Sequence, residues 1–279
     1  MRHVLALFAV LGGALLCAGS AGAESLQCTS ITSVPFTISA SGSYCLTGNL
    51  TSTVTGTAAA ITIAANNVEL DLNRHVLAGP GGTTAGFGIY AIARSGLRIR
   101  NGTLRGFTRG VFVTDSLVGL PPITPSGASN QHEISELRVE GGIFGISLLG
   151  HFSSVHNNQI VGATQYGIAA GGTGGGVEVR ENFVSNVSAG SLAAYAISVG
   201  APGSVVQSNV VSGVRGSASS AAIYVGGSSS IVSRNRETDL AGAYAVYCSG
   251  GGVKVEGNIF AGTVAASPLF GCSTLGTNG

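Results

Sequence analysis

The chain has 279 residues, of which only 9% are charged, and a formal net charge of +1. That balance lacks the basic footprint of a nucleic-acid binder and the like-charge blocks of a solvated tail, so nucleic acid is not an expected partner. With 44% hydrophobic residues and a mean hydropathy of +0.43, the 45 glycines do not mark a disordered chain, and a long core must be buried.

Met1-Arg2-His3 leads into an apolar run from Val4 to Leu16 and then small residues ending Ala21-Gly22-Ala23. This is the pattern of a secretory signal peptide cleaved near Ala23. No later run reaches the length of a spanning helix, so the expected product is secreted or periplasmic, without a membrane span. Cys17 follows Leu16, where a lipid-anchor site wants a small residue, and lipidation is not expected. Cys28, Cys45, Cys248 and Cys272 remain. An even number in an oxidising compartment favours disulfides over metal ligation, and neither a metal nor a cofactor is expected.

Beyond this a short phrase recurs: an apolar residue, two others, Asn, one other, an apolar residue, one other, then Gly, Asn or Asp. It reads VHNNQIVG from Val155, VRENFVSN from Val179, VQSNVVSG from Val206, VSRNRETD from Val232 and VEGNIFAG from Val255. Blurred copies start at Leu70, Ile99 and Ile134, so the starts advance by 29, 35, 21, 24, 27, 26 and 23 residues. A second phrase interleaves, an apolar residue preceded by Gly or Ala: GIYAI at Gly88, GVFV at Gly110, GISLL at Gly145, GIAA at Gly167, AISV at Ala196, AIYV at Ala222 and AVYC at Ala245. Each unit holds about three short β-branched strands separated by Gly, Asn and Ser turns. Such strands are stable only when stacked, coil upon coil, and no segment has helical apolar spacing with caps. The fold class is therefore all-β: a single right-handed parallel β-helix solenoid of about eight rungs. The expected layout is a signal peptide over 1–23, an N-terminal cap over 24–60, the β-helix over 61–272 and a C-terminal tail over 273–279.

Asn73, Asn158, Asn182, Asn209, Asn235 and Asn258 fall at one place in the repeat, with Gly102 in a seventh copy and Leu137 breaking the column. Asn and Gly tolerate a left-handed turn, and stacked amides can hydrogen-bond along a ladder. A second turn column holds Gly106, Gly141, Gly162, Asn186, Gly213, Asp239 and Gly262, again left-handed formers. Two residues before the apolar position of the Gly-apolar strand stand Phe87, Phe144, Tyr166, Tyr195 and Tyr244. Strict alternation places these rings inward, as a core ladder rather than a sugar-binding platform.

The Asn-bearing turn followed by a Gly-Ile strand resembles the right-handed parallel β-helix superfamily of pectate lyases, polygalacturonases and bacterial β-helix repeat proteins. FTISASGSYCLTGNLT and VELDLNRHVLAG are similar to the first coil of secreted bacterial members, and the resemblance covers about residues 32 to 272. It implies that catalytic groups, where a member has them, project from the sheet carrying the Gly-Ile strand. The Asn-Thr-Asp, Asp-Asp and Gly-His-Gly phrases of polygalacturonases are missing, and the matching positions hold Phe87, Arg109, Phe144, Tyr166 and Tyr195. The carboxylate pair of a glycosidase is thus absent from that sheet.

Polar residues concentrate instead on the strand leading into the Asn turn. In rung order its outward pairs are Glu69 with Asp71, Arg98 with Arg100, Glu133 with Ser135, Ser154 with His156, and Glu178 with Arg180. Charge then fades through Val205 with Gln207 and Ile231 with Ser233 before Lys254 with Glu256. Cross-strand ion pairing is the first reading of this lane. The functional one makes Arg98, Arg100 and Arg180 binders of a carboxylated sugar, with Glu133 or His156 moving a proton. Catalytic candidates are then Arg100, Glu133, His156 and Arg180, with Asp71, Arg98 and Glu178 as ligand-binding neighbours. A second group, Arg94, Asp115 and His151, follows the Gly-Ile strand on three successive rungs. There the turn is enlarged, with 23 residues from Val111 to Ile134 against 9 to 11 elsewhere, by a Pro-rich flap from Val118. His75 and Glu237 occupy nominally inward apolar positions. The expected function is a non-catalytic exported interaction module touching polysaccharide along one sheet; the alternative is a lyase or epimerase on an acidic glycan through the Arg-rich lane.

Rung geometry also chooses the disulfides. Cys248 stands two residues after Val246, and Cys272 two after Phe270, taken as the apolar position of the next coil. Adjacent rungs lie about 4.8 Å apart, within disulfide reach, which predicts Cys248–Cys272 and, closing the cap, Cys28–Cys45. Pairing between the two ends would have to cross roughly 30 Å.

Overall fold

A computed structural model describes residues 28–114, 130–172, 174–262 and 268–274. The expected signal peptide, Asp115 and the flap from Val118 up to Ala128 and Ser129 lie outside the described residues. All regular structure among the described residues is β-strand, and nearly every strand pairs in parallel with its counterpart one coil away. The chain is a parallel β-helix of three faces. The Gly-apolar face stacks ten strands, from Phe36–Ile38 to Leu269–Phe270. The other two faces, before and after the Asn turn, are joined into one sheet because Arg98–Arg105 and Glu133–Glu140 run through the turn without a break.

The eight copies of the phrase lie in register. Leu70, Ile99, Ile134, Val155, Val179, Val206, Val232 and Val255 pair in succession, and all eight are fully buried. On the Gly-apolar face Ile89, Val111, Ile146, Ile168, Ile197, Ile223 and Val246 form the matching inward column. Burying one such side chain contributes about 1.5–3 kcal/mol, and every coil repeats it. The first copy is misaligned by the sequence pattern: Leu77, not His75, pairs with Leu104. Two extra residues enter that turn, where Asn73 and Arg74 both have positive φ (50° and 61°), and His75 is left half-buried.

The Asn column works differently from the expectation. The left-handed residue is the one before it: Asn157, Glu181, Ser208 and Arg234 have φ of 55–56°, and Gly257 has 61°. Asn158, Asn182, Asn209, Asn235 and Asn258 point inward and are buried to 2% exposure or less. Each of the first four donates from Nδ2 to Oδ1 of the next at 2.9–3.0 Å. Each of these four also sends its backbone N–H to that same oxygen, and the Nδ2 of every Asn in the column reaches a carbonyl of the preceding coil. The ladder starts at Leu137, whose N–H donates to Asn158 Oδ1 at 3.0 Å. Asn73 lies outside it, exposed, with Nδ2 donating to the Leu46 carbonyl. The second turn column is as expected, positive φ at all seven positions from Gly106 to Gly262.

Both disulfides are present, Cys28–Cys45 and Cys248–Cys272, with Cα separations of 5.7 and 5.1 Å. The register behind the second differs from the expectation. Leu269 pairs with Val246, and Phe270 lies opposite Tyr247 on the outside.

Two expected outcomes follow from these cores. Asn209→Ala removes the donor to Val179 and Asn235 and strands the backbone N–H of Asn182; it should cost on the order of 3 kcal/mol in urea denaturation, while Asn73→Ala changes little. Glu237 lies between Val211 and Phe260 in the inward column, is 0% exposed, and neither of its carboxylate oxygens has a hydrogen-bond partner. Burial pushes this carboxyl well above the usual carboxylate range, its own backbone amide opposing only in part. The folded state therefore holds the proton more tightly than the unfolded chain. Stability should fall as pH rises from the unfolded value of about 4.3 towards the folded one, by up to about 1.4 kcal/mol per pH unit. Glu237→Gln should abolish that slope; parallel stability curves for the two proteins would mean that the carboxyl is not protonated in the fold.

Candidate functional site

Two surfaces compete. The charged lane before the Asn turn has the predicted register, Glu69–Arg98–Glu133–Ser154–Glu178 beside Asp71–Arg100–Ser135–His156–Arg180. Its arginines are engaged by carboxylates of the same lane. Arg98 Nε meets Glu133 Oε2 at 3.0 Å. Arg100 Nη2 meets Glu69 at 2.8 Å and Asp71 at 3.1 Å. Arg180 meets Glu181 at 2.8 Å and Glu178 at 3.4 Å. Glu133 Oε1 also lies 3.4 Å from His156 Nε2. These partly exposed pairs contribute about 1 kcal/mol or less apiece, and they neutralise each guanidinium that a sugar carboxylate would need, although Arg100 Nε is buried without a hydrogen-bond partner. Open depressions flank the lane, one of about 400 Å³ over Glu69, Arg98 and Glu133 and one of about 330 Å³ over Tyr44, Asp71 and Arg100.

The second predicted group is turned to backbone bonding. Arg94 Nε donates to the Ile92 carbonyl at 3.0 Å. His151 is 7% exposed, and its Nδ1 accepts from the Gly174 N–H at 2.9 Å. Asn130 bridges Ser95 and His151 by parallel backbone pairing, tying the coils at that turn, and Asp115 is outside the described residues.

The Gly-apolar face overturns the expectation of an inward aromatic column. In each strand two consecutive residues face the core, the Gly or Ala and the apolar residue after it. A Cβ built on Gly88 would lie 3.1–3.2 Å from the buried Phe107 and Leu104 side chains and 2.5 Å from the Gly110 carbonyl oxygen; on Gly145 it would meet Ile160 at 2.6 Å. Ala196, Ala222 and Ala245 hold the same position fully buried. Two inward residues in a row shift the alternation by one, so the residue before the Gly is swung outside.

The outside of this face consequently carries a column of rings, partly exposed from Phe144 on and covered at Phe87 and Phe112, which are 8% and 5% exposed. Phe87 packs on Tyr90 and Phe112 at centroid distances of 5.6 and 5.3 Å. The Arg109 guanidinium lies over Phe87, Phe112 and Phe144 at 5.2, 4.4 and 5.0 Å, a favourable cation–π setting. The series continues through Phe144–Tyr166 at 4.7 Å, Tyr166–Tyr195 at 5.4 Å, Tyr195–Tyr224 at 5.0 Å, Tyr224–Tyr247 at 5.6 Å and Tyr247–Phe270 at 4.8 Å. Eight successive coils each contribute a ring or Arg109. Burial raises the Tyr166 and Tyr195 hydroxyl pKa values, and neighbouring tyrosines add to the shift, so both phenols stay neutral at ordinary pH. Burial also lowers Arg109 from its usual value. Tyr90, Phe112, Tyr224 and Tyr247 were not singled out from the sequence, although each directly follows an inward apolar residue in GIYAI, GVFV, AIYV and AVYC, where alternation alone points outward.

No family model matches the chain, and no curated protein matches it. Among solved structures it is similar to the Dettilon tailspike protein, at 13% sequence identity and a TM-score of 0.33, with 87% of this chain and 60% of the tailspike chain covered. The chain thus spans less than two thirds of that protein's length, and the parallel β-helix assignment rests on its own strand register.

Proposed function

We propose that this is an exported, non-catalytic β-helix that holds polysaccharide against its aromatic face. The observation that carries the reading is the unbroken outward series of rings from Phe87 and Tyr90 to Phe270. Stacked coil on coil, the rings present a continuous apolar strip of edges for the C–H surfaces of sugar rings, and tyrosine adds a hydroxyl for sugar hydroxyls. Export is supported by the apolar run from Val4 to Leu16 and by two disulfides, which persist in oxidising compartments. Against the lyase or epimerase alternative stand the ion pairs that take up Arg98, Arg100 and Arg180.

The test is a glycan array probed with the purified protein and two variants. Tyr166→Ala combined with Tyr195→Ala should weaken binding about tenfold or more, while Arg100→Ala leaves it unchanged. Loss of binding in Arg100→Ala, with release of unsaturated product from pectin or alginate by the wild type, would instead establish the lyase reading.

A further inference from the structure

The ring series does not run straight. Outward side chains on the Gly-apolar face form two columns. The first reads Phe87, Arg109, Phe144, Tyr166, Tyr195, Ala221 and Tyr244. The second reads Tyr90, Phe112, Ser147, Ala169, Ser198, Tyr224, Tyr247 and Phe270. Where three coils carry rings in the first column, the second is reduced to Ser147, Ala169 and Ser198. This leaves a trough with Phe144, Tyr166 and Tyr195 along one wall. One end is closed by Phe112 with Arg109, whose guanidinium carbon is 4.4 Å from the Phe112 ring. The other is closed where the series crosses columns, Tyr195 to Tyr224 at 5.0 Å. Four inter-strand steps separate Phe112 from Tyr224, roughly 19 Å at β-sheet spacing.

The chemistry of the trough is specific. The only charged side chain in either outward column is Arg109. The three rings around it offer no hydrogen-bond acceptor in their π-contacts, which leaves its N–H donors for an oxyanion. Neither an ion pair nor a hydrogen bond engages them among the described residues. Ser198, partly exposed, offers a hydroxyl on the floor, and Ser147 is covered, at 6% exposure.

Resting on the glycan reading, we infer that the trough over Ser147, Ala169 and Ser198 is the binding subsite, and that its ligand is a largely neutral glycan carrying an isolated acidic group, read by Arg109 at the Phe112 end. A uniformly acidic chain fits poorly, because its further carboxylates would be desolvated against Phe144, Tyr166 and Tyr195 without a cation.

The experiment uses the full chain on an array of hexasaccharides in three charge classes on matched backbones: neutral, singly uronylated, and uniformly uronic. The singly uronylated class should bind best, by about fivefold over neutral, and Arg109→Gln should erase that difference. Ala169→Tyr fills the trough at a register where Tyr224 and Tyr247 are already accommodated, so the protein should fold with an unchanged melting temperature and lose binding. Equal binding of neutral and singly charged glycans by the wild type, or preference for the uniformly uronic class, overturns the assignment of Arg109. Undiminished binding by Ala169→Tyr, with loss in the Tyr166/Tyr195 double variant, overturns the trough but keeps the aromatic face. Silence across all classes overturns the glycan reading itself.

Discussion

Backbone hydrogen bonding between coils, about 4.8 Å apart, is the constraint from which the rest follows. A residue cannot choose its neighbour independently: whatever stands at one position is stacked on the same position of the coils before and after. Columns of like residues are the low-energy answer. Apolar residues then bury each other, the amides from Asn158 to Asn258 satisfy each other's donors and acceptors, and rings from Phe144 to Tyr195 stack face to face or tilted. Charge is the exception, because like charges in a column repel. On the lane before the Asn turn the chain answers with alternation, Glu69 against Arg98 and Arg98 against Glu133.

This constraint explains why the fold was legible. Eight copies of one phrase can be aligned without a structure, and seven of the eight keep the face of every residue that the phrase assigns. The left-handed second column was also readable, since Gly, Asn and Asp at Gly106 through Gly262 have few other reasons to recur. The two failures that moved side chains between faces share one physical origin, a local change of phase. Gly88 and Ile89 both turn inward, which reverses the side assigned to Phe87 and to every residue aligned with it. Asn73 and Arg74 insert two residues, which displaces His75 from the core in favour of Leu77. Alternation is a rule about straight strands, and neither a kink nor an insertion announces itself in composition.

The same phase change moved the candidate site. From the sequence, the charged lane carried the chemistry and the Gly-apolar face was blank. In the structure the lane is internally compensated, and the face holds a continuous aromatic surface in which Arg109 has no ion-pair partner among the described residues. Interaction sites are marked less by how many charged residues they contain than by which groups are left without partners. Among the described residues Arg109 has no carboxylate partner, whereas Arg98, Arg100 and Arg180 each have one.

The spacing of the copies has an evolutionary side. Coil starts advance by as few as 21 and as many as 35 residues, yet the paired columns before the Asn turn stay in step from Leu70 to Val255. The variation in length leaves that register untouched. A whole coil can therefore be duplicated or deleted by recombination between two equivalent positions, because the new neighbours present the same inward apolar residue as the old and, from Asn158 to Asn258, the same amide. The protein's reach along a ligand is in this sense a countable trait, adjustable one coil at a time without redesign of the core.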